Sequence, residues 1–315
     1  MLDGGEVAET GDQFGRALTV GDFNGDGNDD LVIGVPYEDL SFQSSVLQAG
    51  AAYIIYGHAN GLGEAGSELI HQDFDASGDY LPESGDTFGS VLDAGDFNCD
   101  GHDDLVVGMF SESIGTIKFA GAVHLFYGDS TGIDYDNNDL ITQAAFGFLE
   151  STDGFGWTLA VGDFNGDSCD DLAVGVPAEM LSTLSEVGEV DIFYGNEFSG
   201  LNPLGQVITQ GGDNGDVREE GDRFGQALAV GNFNSDRNDD LAVGVPDEDI
   251  GTIVDAGIVQ IFYGADLRLT NVGVQIWHQD TDGILDIAES GDNFGRSLAA
   301  LPGITLQTFL PMVVR

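Results

Sequence analysis

Three observations predict an all-β fold, a β-propeller made of four-stranded antiparallel blades. A Phe-Gly pair recurs at Phe14, Phe88, Phe155, Phe224 and Phe294, at intervals of 74, 67, 69 and 70 residues. After each of the first four pairs come an apolar segment, an acidic loop and a second apolar segment, as in FGRALTVGDFNGDGNDDLVIGVP and FGQALAVGNFNSDRNDDLAVGVP. The apolar runs are short, rich in Val, Ile, Phe and Tyr, and show no sustained 3.6-residue period. Self-similarity at a fixed period of this length marks a chain built from copies of one supersecondary unit.

Within a unit the first strand follows Phe-Gly and the second follows the acidic loop. A third apolar run ends in Tyr-Gly at Tyr56, Tyr127, Tyr194 and Tyr263. A weaker fourth strand is expected near SELIHQD and VQIWHQD. Runs such as LAVGVP and VQIFYG are apolar at nearly every position, so both faces of the small sheet must be covered. One unit cannot cover both its own faces, and radial stacking of blades can. The chain 1–315 is therefore read as a single domain, with repeats at about 11–84, 85–151, 152–220 and 221–290 and a partial fifth at 291–315. The apolar tail ITLQTFLPMVV is expected to close the ring or complete a terminal blade. Four full blades are counted, and a larger parent propeller stays open. The Phe of each Phe-Gly pair and the Tyr of each Tyr-Gly pair are expected to anchor the core.

Composition narrows the function. Asp and Glu number 56 against 8 Lys and Arg, a net charge of -48, which repels nucleic-acid phosphates and anionic membranes. No apolar run is long enough to span a bilayer, so no membrane insertion is expected. The acids recur in clusters, which points to bound cations. Four divalent ions would still offset only 8 of the 48 charges, so most of the acidity is a solvated surface. The start, Met1 to Gly5, has neither a basic region nor an apolar stretch, and no signal peptide is read there.

Each acidic loop has the form D-x-N-x-D-x-x-D-D, with oxygen donors at alternate positions. Calcium takes six to eight hard oxygens, and alternation turns successive side chains toward one point. The first loop offers the side chains of Asp22, Asn24 and Asp26, the carbonyl of Asn28, and Asp30. The second offers Asp96, Asn98, Asp100, His102 by its carbonyl, and Asp104. The third offers Asp163, Asn165, Asp167, Cys169 by its carbonyl, and Asp171, with Ser168 in place of the turn glycine. The fourth offers Asn232, Asn234, Asp236, Asn238 by its carbonyl, and Asp240; with Asn232 for Asp and Arg237 for Gly, it is expected to bind most weakly. Three strong calcium sites and a weaker fourth are the expectation. An isolated loop of this composition could equally be a hairpin turn, which needs one or two such residues rather than five. Magnesium seldom occupies an all-protein cage.

Phe-Gly, the DxNxDGxxD loop and Gly-Val-Pro together resemble the FG-GAP repeats of integrin alpha subunits, over about residues 11–301, with the nearest likeness to bacterial secreted proteins of this type. The resemblance implies a propeller with structural calcium in hairpins on one face and a ligand, protein or carbohydrate, on the loops of the opposite face. Loops such as EDLSFQSSVLQAG would belong to that ligand surface. Departures are Gly108-Met109-Phe110 in place of Gly-Val-Pro, the degraded fourth loop, and fewer repeats than the seven of integrins. In the inter-blade loop DFDASGDYLPESGD, Asp73, Asp75, Ser77 and Asp79 alternate, although acidic solvated loops of this kind are ordinary.

A secreted or cell-surface binding and adhesion module is the function expected, since extracellular calcium saturates loops of modest affinity. The alternatives are a scaffold or assembly domain of a larger surface protein, and a carbohydrate-active or hydrolytic enzyme domain. No histidine recurs beside a nucleophile and no G-x-S-x-G element occurs, so no catalytic residue is assigned. Cys99 and Cys169 fall in loops of adjacent units; a bridge between them is open, but disulfide geometry is demanding and free cysteines are expected.

Overall fold

The computed structural model describes residues 9–41, 45–63, 66–72, 82–147, 149–211 and 217–299. The tail 301–315 and the Asp73–Asp79 alternation lie outside them. The chain divides into two compact units, Met1–Asp96 with Asp100–Trp157, and Phe97–Cys99 with Thr158–Arg315. No α-helix occurs among the described residues; a 3-10 turn spans Gln143–Phe146.

The first unit holds two four-stranded antiparallel sheets. One contains β1 (Leu18–Gly21), β2 (Asp30–Val35), β5 (Ala51–Ile55) and β6 (Glu68–Ile70) in that order. A two-stranded hairpin, β3 (Leu40–Ser41) with β4 (Ser45–Val46), interrupts it between the second and third strands. The other contains β7 (Val91–Gly95), β8 (Asp104–Met109), β9 (Ala122–Asp129) and β10 (Gly132–Ile141). The second unit repeats the pattern with β11 (Thr158–Gly162), β12 (Asp171–Val176), β13 (Glu189–Phe193) and β14 (Gln206–Ile208). Its last sheet is β15 (Ala227–Gly231), β16 (Asp240–Val245), β17 (Ile258–Tyr263) and β18 (Thr270–Trp277). These are the four blades expected of a β-propeller. The fourth strand varies most, from three residues in β6 to ten in β10, whose register shifts between Asp134 and Asn138.

Sandwiching is strongest at the second strands: every residue of β8, β12 and β16 is buried. That is why these strands lack polar alternation. In the first unit Phe88, Phe126, Leu105, Val107 and Met109 share one core cluster with Val32 and Ile54. In the second, Phe164, Val190, Ile192, Phe224, Val243 and Phe262 do the same.

The repeated glycines exist to let blades touch. The Phe-Gly glycine of one blade presents its carbonyl to the Gly-Val glycine of the blade before it. A Cβ on Gly34 would lie 2.0 Å from the Gly89 oxygen, and one on Gly244 would lie 2.0 Å from the Gly295 oxygen. No side chain fits there. The Tyr-Gly tyrosines bridge blades too, since the Ile133 N–H donates to the Tyr56 hydroxyl (3.1 Å) and the Leu269 N–H to the Tyr194 hydroxyl (2.9 Å).

The core-anchor expectation holds for Phe88, Phe155 and Phe224, which are fully buried, and for Phe294, which is 7% exposed. It fails at Phe14, which is 64% exposed, as are Leu18 and Val20 to similar degrees. The buried phenylalanines bridge to the residue just before the third strand of a preceding blade, as Phe88 does at Gly50 and Phe155 at Gly121. No blade precedes Phe14 among the described residues.

Candidate metal centre

In all four blades the acidic loop is the hairpin between the first and second strands. The closing pairs are Gly21 with Asp30, Gly95 with Asp104, Gly162 with Asp171 and Gly231 with Asp240. Asp and Asn fold such loops because their side chains accept hydrogen bonds from nearby main-chain N–H groups. In the first loop the Asp26 N–H donates to Asp22 Oδ1 (3.0 Å) and to Asn24 Oδ1 (2.9 Å), so both oxygens face the inside of the same turn. Gly27 N–H donates to Asp22 Oδ2 at 2.8 Å, and Asn28 N–H to Asp26 Oδ1 at 2.9 Å. The third loop repeats every one of these bonds with Asp163, Asn165 and Asp167 as acceptors. The second loop has the corresponding bonds to Asp96 and Asp100. Its Asp100 also meets His102 Nδ1 at 3.0 Å.

The sixth position of these three loops is left-handed: Gly27 has φ +83°, Gly101 +89° and Ser168 +77°. Ser168 thus adopts a conformation that favours glycine. Arg237 at that position of the fourth loop stays outside the left-handed region. The fourth loop keeps the bonds to Asn234 and Asp236 (both 2.8 Å) and differs at its first residue. Asn232 accepts nothing from the Asp236 N–H; instead its Nδ2 donates to the Asp236 carbonyl at 2.5 Å. The Arg237 guanidinium pairs with Asp266 at 2.8 Å.

The ninth residue is buried in every loop: Asp30, Asp104, Asp171 and Asp240 are 0% exposed. Each bolts the loop to the end of the third strand. Asp30 accepts from the N–H groups of Phe23 (3.1 Å) and Gly57 (2.7 Å), and Asp171 from those of Phe164 and Gly195 (both 2.9 Å). Asp240 accepts from Phe233 and Gly264, and Asp104 from Gly128. The glycine of Tyr-Gly is the donor in all four. Burial pushes the Asp171 carboxyl up to about 8, with Asp167 and Asp163 adding to the shift and the two N–H donors opposing it. Burial likewise raises Asp240 to about 6. Asp30 is raised for the same reason, with smaller contributions from Asp22 and Asp26.

Among the described residues no three Asp, Glu, His or Cys side chains converge as a metal-binding group by themselves. The donors that each loop offers are mixed: carboxylates at the first and fifth positions, an amide oxygen at the third, a main-chain oxygen at the seventh. Hard oxygens of this kind suit calcium, and the excess negative charge at each loop is what a divalent cation would offset. The residues of the first three loops fit the ion. The fourth fits it less well.

The cysteine expectation is overturned. Cys99 and Cys169 form a disulfide, with Cα atoms 5.1 Å apart. Cys99 is the fourth residue of its loop and Cys169 the seventh of the next. These two repeat positions touch in the other pairs of neighbouring loops as well. A Cβ on Gly25 would meet the His102 ring at 2.7 Å, and one on Gly166 would meet Asn238 Oδ1 at 2.2 Å. A cysteine pair placed there is already within bonding reach.

Two acidic positions were missed. One is the aspartate two residues before each phenylalanine of Phe-Gly: Asp12, Asp222 and Asp292 accept from the N–H groups of Glu9 (2.5 Å), Glu219 (2.5 Å) and Glu289 (2.8 Å) and so close that loop. Its recurrence at a fixed offset was the available signal. The other is the eighth loop residue, described below.

The FG-GAP repeat family model matches residues 14–55, 88–126, 155–193 and 224–262, each stretch running from Phe-Gly into the third strand of a blade. The chain belongs to the FG-GAP repeat family. Human phosphatidylinositol-glycan-specific phospholipase D is 32% identical over 165 residues, covering 52% of this chain and 19% of that protein. Human integrin alpha-8 is 30% identical over 230 residues, covering 70% of this chain and 19% of the integrin. The chain thus spans about a fifth of the length of these relatives. A rhamnogalacturonan lyase structure from Bacillus licheniformis aligns with a TM-score of 0.45 at 12% identity, covering 89% of this chain and 51% of the lyase. The FG-GAP match leaves out the fourth strands, the part of the blade that varies most. Among the described residues no helix is long and apolar enough to cross a membrane.

Proposed function

We propose that this FG-GAP chain is an extracellular, calcium-binding propeller module that serves binding and adhesion, with structural calcium in its acidic loops and no catalytic role. The observation that carries the reading is the recurrence, in three loops, of first- and fifth-position carboxylates accepting from the same main-chain donors. A turn alone does not require the same two carboxylates in one copy after another. The disulfide supports an oxidising, extracellular location. At the strand ends opposite the acidic loops, Trp157 is 39% exposed and its ring lies 4.8 Å from that of Phe110. An exposed tryptophan backed by a half-buried phenylalanine suits a carbohydrate or protein ligand. The activity named for the phospholipase relative is not carried over, because four-fifths of that protein lies outside the match.

A second reading, an assembly or scaffold unit of a larger surface protein, is favoured by the exposed apolar face of Phe14, Leu18 and Val20. Thermal melting in calcium and in chelator tests the first. An ion held only by the folded state raises the melting temperature by mass action. Identical melting curves in the two conditions would remove the calcium reading.

A further inference from the structure

The eighth residue of each loop is acidic but stands outside the donor pattern. In the first unit, Asp103 of the second loop accepts the Asp22 N–H on Oδ2 at 2.7 Å and donates its own N–H to the Asp22 carbonyl at 3.1 Å. In the second unit, Asp239 of the fourth loop does the same with Asp163, at 3.2 Å and 2.8 Å. Two independent copies of the contact therefore join a loop to the first residue of the loop before it. The preceding glycine makes room for the carboxylate: a Cβ on Gly21 would lie 3.0 Å from Asp103 Oδ2, and one on Gly162 would lie 3.0 Å from Asp239 Oδ2.

Asp22 and Asp163 are the hubs of their own loops, each carboxylate accepting from two or three main-chain N–H groups. Holding the N–H and C=O of the hub fixes the backbone from which that carboxylate projects. Outer partners that orient ligands in this way change metal affinity without touching the metal. We infer that Asp103 and Asp239 are positioning residues for the ion sites of the preceding loops, so that the affinity of the first loop depends on Asp103 and that of the third on Asp239. This rests on the calcium reading. It gives the fourth loop, the poorest in ligands, a part in the site of its neighbour.

Calorimetric titration of the full chain with calcium tests the inference. Asp239→Ala should weaken one tight site by about 10- to 100-fold, the range for lost outer-shell partners. Asp239→Asn, whose amide oxygen still accepts the Asp163 N–H, should stay within a few-fold of the unsubstituted chain. Asp282→Ala, which removes an exposed acid outside the acidic loops, should leave the tight sites unchanged. Equal losses in the Asn and Ala variants would show an effect of charge alone and overturn the inference, as would an unchanged affinity in Asp239→Ala. Asp103→Ala and Asp103→Asn make the same comparison at the first loop, so misfolding of one alanine variant leaves the other to decide. Absence of calcium binding by the unsubstituted chain would refute the calcium reading and the inference with it. Binding that ignores Asp103 and Asp239 would refute the inference alone.

Discussion

Reducing the Cys99–Cys169 bond should destabilise the second unit by an amount that the structure sets. The bond joins residues 70 apart in sequence. Closing a loop of that length removes chain entropy from the unfolded state worth about 4 kcal/mol at 25 °C. A change of 1 kcal/mol shifts the melting temperature of a domain of this size by roughly 2–4 °C, so reduction should lower it by about 10 °C. Both cysteines sit where neighbouring loops already touch, so the native state gives little of this back as strain in the backbone. Scanning calorimetry with and without a reductant, at constant calcium, measures the shift, and the double substitution Cys99→Ser with Cys169→Ser should match the reduced chain. Thiol titration of the denatured, unreduced chain should find no free cysteine. Two free thiols, or a shift below about 2 °C, would refute this reasoning.

Further predictions follow from burial and packing. Phe224→Ala should cost about 3 to 5 kcal/mol by urea denaturation, whereas Phe14→Ala, at the same repeat position but 64% exposed, should cost about 0.5 kcal/mol or less. Comparable losses would show that Phe14 is buried in solution. Gly34→Ala should destabilise by about 3 kcal/mol, because its Cβ meets the Gly89 carbonyl and neither strand can yield easily. Burial, with Asp86 adding to it, pushes the Glu112 carboxyl up to about 8, although the Gln72 amide donates to it at 2.7 Å. Its folded value lies above its unfolded one, so its contribution is fully present below about pH 4 and is lost as pH rises toward 8. Glu112→Gln should therefore lose less stability than the unsubstituted chain between pH 5 and pH 8, and parallel losses would contradict the assignment.

The blades were legible in the sequence because each is copied four times, so weak strand signals add up. Strands such as β12 and β16 are read directly from unbroken apolar runs. The loops were legible as oxygen donors because Asp22, Asn24 and Asp26 keep their offsets in the second and third copies. Asp103 and Asp239 were not, because Asp-Asp doublets hide two jobs in adjacent letters: the second bolts its own loop to the third strand, and the first reaches the loop before it. The cysteines were missed for a related reason, since the fourth and seventh loop positions meet only across blades. Phe14 was misread because a repeat position predicts burial only where a neighbouring blade covers it. The fourth loop departs from the others in sequence at Asn232 and Arg237, and in structure at the bonding of Asn232 and the backbone of Arg237.

Counting bound ions tests the central claim most directly. After gel filtration in millimolar calcium, elemental analysis of the chain should find about three calcium ions per molecule, falling to none after chelation. A chain that emerges from calcium with no metal would mean that these loops are turns held by their own hydrogen bonds.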